Sequence, residues 1–223
     1  MLTSEQVAEF LRANPSFFEH QPDILLNLQV PHPHGGRTVS ISERQLVATR
    51  EKVKFLESKL AELIQYGEEN DQLSEKVHWL SLRLIACDSL ETLIDTLYLE
   101  LLDHFNVPHV AVRFWGVERP VHAGPEFTEL GPELRQFVEA MSTPYCGHHP
   151  VYETQHWFGE HAPHLKSYAM VPLKWQQSFG VLLMASENGE RFYPEMGTLY
   201  LKRISDLFSA CLARHLKLIE AEG

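Results

Sequence analysis

Residues 53–84 read VKFLESKLAELIQYGEENDQLSEKVHWLSLRL. Apolar groups fall at Val53, Leu56, Leu60, Leu63, Tyr66, Leu73, Val77, Leu80 and Leu84. The gaps are mostly threes and fours, the seam spacing of a coiled coil rather than of a helix lying on a core. A seam of that kind needs a partner helix. The pattern predicts one long helix, from about Ser42 to Cys87, that pairs with a second copy as a homodimer rod. Lys and Arg interleave with Glu and Asp on the outer positions, as on a solvated rod. The spacing slips near Tyr66, where two successive steps of three (Leu60 to Leu63 to Tyr66) make a stammer that overwinds a coiled coil. Gly67 follows and weakens the helix by about 1 kcal/mol relative to Ala. Asn70 takes a seam position, where a buried amide fixes register. Imperfect packing and a joint that transmits twist both fit this slip.

Upstream, residues 3–28 read as short helices. Thr3 with Gln6 fits a capping box, and Val7, Phe10 and Leu11 give a helical apolar face. Pro15 and Pro22 each open a further turn, one holding Phe17 and Phe18, the other Ile24, Leu25 and Leu28. Such short pieces cannot bury these groups internally. Residues 29–41 form a break: Pro31 and Pro33 favour extended backbone and Gly35-Gly36 a turn.

Downstream the character changes. Ser89 caps a helix carrying Leu90, Leu93, Ile94, Leu97, Leu101 and Leu102. His109–Val117 reads as a strand by alternation, and Pro120–Ala123 as its return. Glu133–Met141 is a short helix, and 143–165 a loop-rich stretch with three prolines. Ser167–Trp175 and Phe179–Ser186 read as an antiparallel hairpin across a short link. Glu195–Ile219 closes the chain as a helix with a broad apolar face. The organisation is therefore three segments: 1–41 short helices, 42–88 a dimerising helix, and 89–223 an α+β domain.

The totals narrow the function classes. Of 223 residues, 44% are hydrophobic and 22% charged, an ordinary soluble composition. A net charge of -11 argues against direct nucleic-acid binding, which needs clustered Lys and Arg. Cys87, Cys146 and Cys211 are too few and too scattered for a disulfide framework. The N-terminus lacks a basic start with an apolar core, and the Phe179–Ala185 run is too short to span a bilayer. A cytoplasmic location without membrane attachment is expected.

Helix, antiparallel strands, loop-rich insertion, hairpin and closing helix follow the order of a GAF domain, a small-ligand and interaction module. The likeness sharpens in FLRANPSFFEHQPDILLNLQVPHPHGG, VSISERQLVATRE, ENDQLSEKVHWL, PYCG, SYAMVPL and ASENGERFYPEMGTLYLKRISDL. Together these stretches resemble the bacterial domain-of-unknown-function family 484, a group with a GAF-like fold. The resemblance spans essentially the whole chain. It implies a GAF-like antiparallel sheet flanked by helices, preceded by the long helix and the short N-terminal ones. It implies no activity. The family pattern carries onto Pro144, Cys146, Gly147, Ser167, Pro172, Leu173, Ser186, Phe192, Pro194 and 196–198, none of which has an established role.

The residues suggest three kinds of chemistry. Cys146-Gly147-His148-His149, with His156, His161 and His164, supplies donors for a transition metal. The spacings are loose and no Cys-x-x-Cys pair exists, so no metal site is assigned. Cys146 beside His148 or His149 could form a nucleophile pair. Some GAF-fold proteins reduce methionine sulfoxide through several cysteines, but only one loop cysteine is offered here, so no catalytic residue is assigned. The third is a small-molecule pocket, which in GAF-like folds lies between one sheet face and the covering loop. Arg113 and Trp115 share a strand face, and Tyr145, Cys146, His148, Tyr152, Trp157 and Phe158 belong to the loop. Ser167 shares a face of the next strand with Ala169. A few polar groups among aromatics suit a binding pocket, and Arg113 suits a carboxylate or phosphate. The competing reading is that these aromatics fill the space themselves. No Gly-rich phosphate loop is present, and Glu187-Asn188-Gly189-Glu190 suits a tight turn.

The expectation is a non-enzymatic, homodimeric sensor or regulatory module that binds a small molecule and acts through contact with another protein. The alternative is a ligand-free dimeric adaptor. A Cys-dependent redox or metal-binding protein ranks behind both. The sequence names no cofactor and identifies no partner.

Overall fold

The structure is a computed structural model and describes residues 3–27, 29–31, 38–118, 120 and 124–217. It divides into two compact units, Met1–Glu68 and Glu69–Gly223. In the first, helix α1 (Ser4–Ala13) starts at a reciprocal cap. The Gln6 N–H donates to Thr3 Oγ1 at 3.3 Å and the Thr3 N–H to Gln6 Oε1 at 3.0 Å. Helices α2 (Phe17–His20) and α3 (Pro22–Asn27) follow. Phe10 and Phe18 each meet Phe17 edge to face. The expected break is a short antiparallel pair, β1 (Gln29–Pro31) with β2 (Thr38–Ser40). Its Gly35-Gly36 turn lies outside the described residues, as do Leu28 and Ile219. Helix α4 then runs from Ile41 to Ile85. No helix among the described residues is long and apolar enough to cross a membrane.

The second unit is a four-stranded antiparallel sheet between two layers. Helix α5 (Leu90–Asp103) begins at Ser89, whose Oγ accepts from the Thr92 N–H at 3.2 Å. Strand β3 (His109–Phe114) follows, then helix α6 (Pro132–Ala140) and strand β4 (Tyr145–Gly147). A 3-10 segment, Thr154–His164, leads into β5 (Ser167–Trp175) and β6 (Gln177–Ser186), and α7 (Leu199–Leu212) closes the unit. The spatial order is β3-β6-β5-β4. The expected return strand at Pro120–Ala123 falls largely outside the described residues. The β5–β6 hairpin turns on Gln176 alone, in the left-handed region at φ 63°. Its ladder shifts register between Leu173 and Lys174. Helix α7 occupies the groups near that bulge: Ser205 Oγ donates to Pro172 O at 2.6 Å, and Ser209 Oγ accepts from the Lys174 N–H at 3.1 Å. Gly180 sits on β6 between Phe114 of β3 and Leu173 of β5. A Cβ there would lie 2.9 Å from Arg113 O.

Strand parity sorts the core. Val112, Phe114, Ala169, Val171, Leu173, Leu182 and Met184 face α5 and α7, meeting Leu93, Leu97, Ile204, Phe208 and Leu212. Ala111, Trp115, Tyr168, Met170, Val181, Leu183 and Ala185 face the other way, onto α6 and the 3-10 segment through Leu134, Val138 and Phe158. The end of α4 joins the helix-side core. Val77, Leu80 and Leu84, expected as seam to a partner helix, are buried in their own chain, Leu80 completely. This corrects the sequence reading at those three positions: α4 changes from bare helix to core helix within one apolar repeat. Leu73 is half-buried, whereas Val53, Leu56, Leu60, Leu63 and Tyr66 are 47–66% exposed.

An ion-pair relay links α4 to α5. Buried Glu100 accepts from Arg83 Nε at 3.0 Å and lies 3.3 Å from His104 Nδ1. Because Leu80 has no exposed surface, Leu80→Ala should lower unfolding free energy by about 2–5 kcal/mol in urea melts. Leu99→Ala, on the exposed side of α5, should change it by less than about 0.5 kcal/mol.

Candidate functional site

β3 places Arg113 and Trp115 on the sheet face covered by α6 and the 3-10 segment. That segment carries a kink at Gly159 (φ 54°, ψ -127°), which splits it into two short helical turns. Phe158 inserts into the loop-side core, and Trp157 lies over Arg113 with the guanidinium carbon 4.6 Å from the ring centroid. Arg113 is buried and donates from an Nη to Val112 O at 2.8 Å. Burial pushes its pKa below the ordinary value, and Tyr98 and Glu126 oppose that shift. On the free edge of β3, the Val112 N–H donates to Tyr98 Oη at 3.3 Å, and Tyr98 Oη donates to Glu126 at 3.1 Å. Burial first, then the Glu126 charge, raise the Tyr98 pKa.

Two clefts open beside this arrangement. The first, 490 Å³, lies between the start of α6 and the 3-10 segment. Glu129, Glu133 and Glu153 share its wall with Tyr152, His156 and Trp157. The second, 360 Å³, is bounded by Trp115, Phe127 and Arg135 and shares Glu129 and Leu130 with the first. Glu139 organises it, accepting from Trp115 Nε1 at 3.2 Å and from Arg135 Nε at 2.9 Å. Carboxylates beside aromatic faces suit a cation in the first cleft. The second cleft offers one guanidinium already engaged by a carboxylate.

With that geometry in view, comparisons with other proteins place the chain. Residues 1–217 match the family described as protein of unknown function, DUF484. The chain belongs to this family. It is 25% identical over 227 residues to the uncharacterised protein YigA of Salmonella typhimurium, covering 97% of this chain and 93% of that one. Against YigA of Escherichia coli K12 the identity is 24%, with the same coverage. The fold is that of a GAF domain. The GAF domain from a phosphoenolpyruvate-protein phosphotransferase (ptsP) of Coxiella burnetii superposes with a TM-score of 0.52 at 14% identity. That match covers 65% of this chain and 94% of the other.

The nine residues expected in one pocket divide. Trp115, Tyr152 and Trp157 line the clefts, and Arg113 lies under Trp157. Phe158 and half-buried Tyr145 fill the loop-side core, with Tyr145 Oη donating to His149 O at 2.9 Å. His148 is exposed and lines neither of these two clefts. Cys146 and Ser167 lie on the opposite sheet face. Cys146 packs in the helix-side core, and Ser167 Oγ donates to Asn188 O at 2.7 Å. Ser167 shares its face with Ala169 as expected, but Cys146 and Ser167 lie apart from the expected pocket, which corrects their place in it. Reading the sequence missed Glu129, Glu133, Glu153, Arg135 and Glu139. The Gly131-Pro132 helix start was the available hint, since it fixes where Glu129 and Glu133 flank the first turn of α6.

Burial raises the Cys146 thiol from 9.0 to about 11, the opposite of an activated nucleophile. Cys211 is raised by burial too. Iodoacetamide near neutral pH should therefore label half-buried Cys87 before Cys146 and Cys211, read by peptide mass spectrometry. First labelling at Cys146 would contradict its placement. The raised pKa also means that Cys146 stabilises the fold below pH 9.0 and that this contribution is lost as pH climbs towards about 11.

Proposed function

We propose that this chain is a homodimeric bacterial regulatory module, without catalysis of its own. In this reading it senses a small molecule at the Glu129–Trp157 cleft and passes the response to a protein partner in the cytoplasm. The observation that carries the reading is the divided use of α4. Its later positions Leu80 and Leu84 belong to the folded core, while Val53, Leu56, Leu60, Leu63 and Tyr66 keep seam spacing and stay exposed. A bare helix of residues 41–68 is about 42 Å long, and burying its apolar stripe against a second copy is the economical way to stabilise it. A ligand that shifts the packing on α4 would then alter how two copies meet. The acidic and aromatic lining favours a small organic cation as that ligand. A GAF-like fold is consistent with a sensing role but does not select a ligand.

One observation favours the second reading, a ligand-free dimeric adaptor. The centre of the loop-side face is filled by Val138, Phe158, Met170, Val181 and Leu183, so among the described residues the space beside this face lies at its margin.

Native mass spectrometry of the purified protein separates these readings. A dimer that retains extra mass, and whose thermal midpoint rises with small amines, is expected for the sensor. A bare dimer indifferent to amines and carboxylates alike would leave the adaptor. Replacing Leu56 and Leu63 with Lys should give a folded monomer by light scattering. A dimer in that variant would overturn the seam.

A further inference from the structure

Away from these clefts, three ligand-type side chains meet at the start of β3. His109 opens that strand, His161 follows the Gly159 kink, and Glu187 comes directly after β6. Strand pairing brings two of them together, because His109 stands opposite Ala185 in the ladder. His109 Nε2 is 3.9 Å from Glu187 Oε1, and the His109 and His161 rings lie 4.8 Å apart. One donor atom from each of the three lies within 4.8 Å of the others. Among the described residues no other trio of His, Cys, Asp or Glu donors converges this closely.

We propose that His109, His161 and Glu187 bind a divalent first-row transition metal ion, with zinc(II) as the best-fitting case. Two imidazoles and a carboxylate are a borderline donor set that such ions prefer, whereas calcium and magnesium favour all-oxygen shells. Tetrahedral coordination with bonds of about 2.1 Å puts donors about 3.4 Å apart. The trio must therefore close by up to about 1.4 Å from its present spacing. The side chains divide that task well. His109 is nearly buried and held edge-on to Phe158 at 6.1 Å, so it is the fixed ligand. His161 and Glu187 are exposed, so closing the site falls to them. Three protein donors leave the fourth position to water or an incoming group. Cys146 belongs to the helix-side core, and of the sequence cluster of Cys146 with the loop histidines only His161 enters the site. A bound ion would join β3, the end of β6 and the 3-10 segment. It would thereby pin the cover that carries Trp157 to the sheet.

The test is calorimetric titration of the full-length, chelator-treated protein with zinc chloride. Saturable binding of one zinc ion per chain is expected, with a rise in thermal midpoint. The His161→Ala/Glu187→Gln variant should keep the metal-free midpoint. It should lose more affinity than the roughly 10–100-fold that removal of an outer-shell partner costs. A His148→Ala/His149→Ala/His164→Ala variant should titrate as the native chain does. If the double variant fails to fold, His161→Gln alone carries the same expectation. No saturable binding at submillimolar zinc would overturn the proposal. So would unchanged affinity in the His161 variants, or loss of binding in the triple variant.

Discussion

Strand β6 is buried on both faces over most of its length, and the rest of the second unit is arranged around that fact. Leu182 and Met184 point into the helix-side core, while Val181, Leu183 and Ala185 point into the loop-side core. A strand in this position needs two complete covers, since either face left open would expose a contiguous apolar surface. Helices α5 and α7 do not supply the whole of one cover, so the end of α4 is drawn in through Leu80 and Leu84. The other cover is thinner, made from one short helix and a kinked 3-10 segment, and the clefts form along its margin. The position of these two clefts thus follows from an asymmetry in how the two faces are closed.

The same asymmetry explains what could be read from the sequence. Local chemistry was legible: the Thr3 and Ser89 caps, the β5–β6 hairpin and the long helix all rest on residues near one another in the chain. The use of α4 was not. Spacing of threes and fours reports an apolar stripe but not whether the stripe meets another copy or the chain's own core, and Val77, Leu80 and Leu84 took the second course. Strand faces failed for a related reason. β4 has three residues, too few to show alternation, and β5 reads apolar through Tyr168–Val171 because both its faces are covered. Nothing local could therefore tell that Cys146 and Ser167 turn away from Arg113. The His109, His161 and Glu187 grouping depends on strand register and a glycine kink, which only the folded chain combines.

Membership of DUF484 and likeness to a GAF domain fix an architecture and leave the chemistry to particular side chains. Here those side chains speak against a reactive centre at Cys146. Its thiol is buried and held in the neutral form. Arg113, the cation most suited to an anionic ligand, is stacked under Trp157 and donates to Val112 O. In the first cleft the acidic and aromatic groups that face open space are Glu129, Glu133, Glu153, Tyr152 and Trp157. Charge at the margin of the sheet therefore runs opposite to what the strand residues alone suggest.

The share of α4 in the helix-side core bears on how this domain can be passed between genes. A GAF-type unit bounded at Ser89 would leave behind Leu80 and Leu84, and with them the ion-pair partner of buried Glu100, Arg83. A recombination breakpoint there would yield a sheet with an unfilled cover. The compact unit begins earlier, at Glu69, and includes the end of its lead-in helix. Inheritance of the domain is for that reason also inheritance of a helical connector.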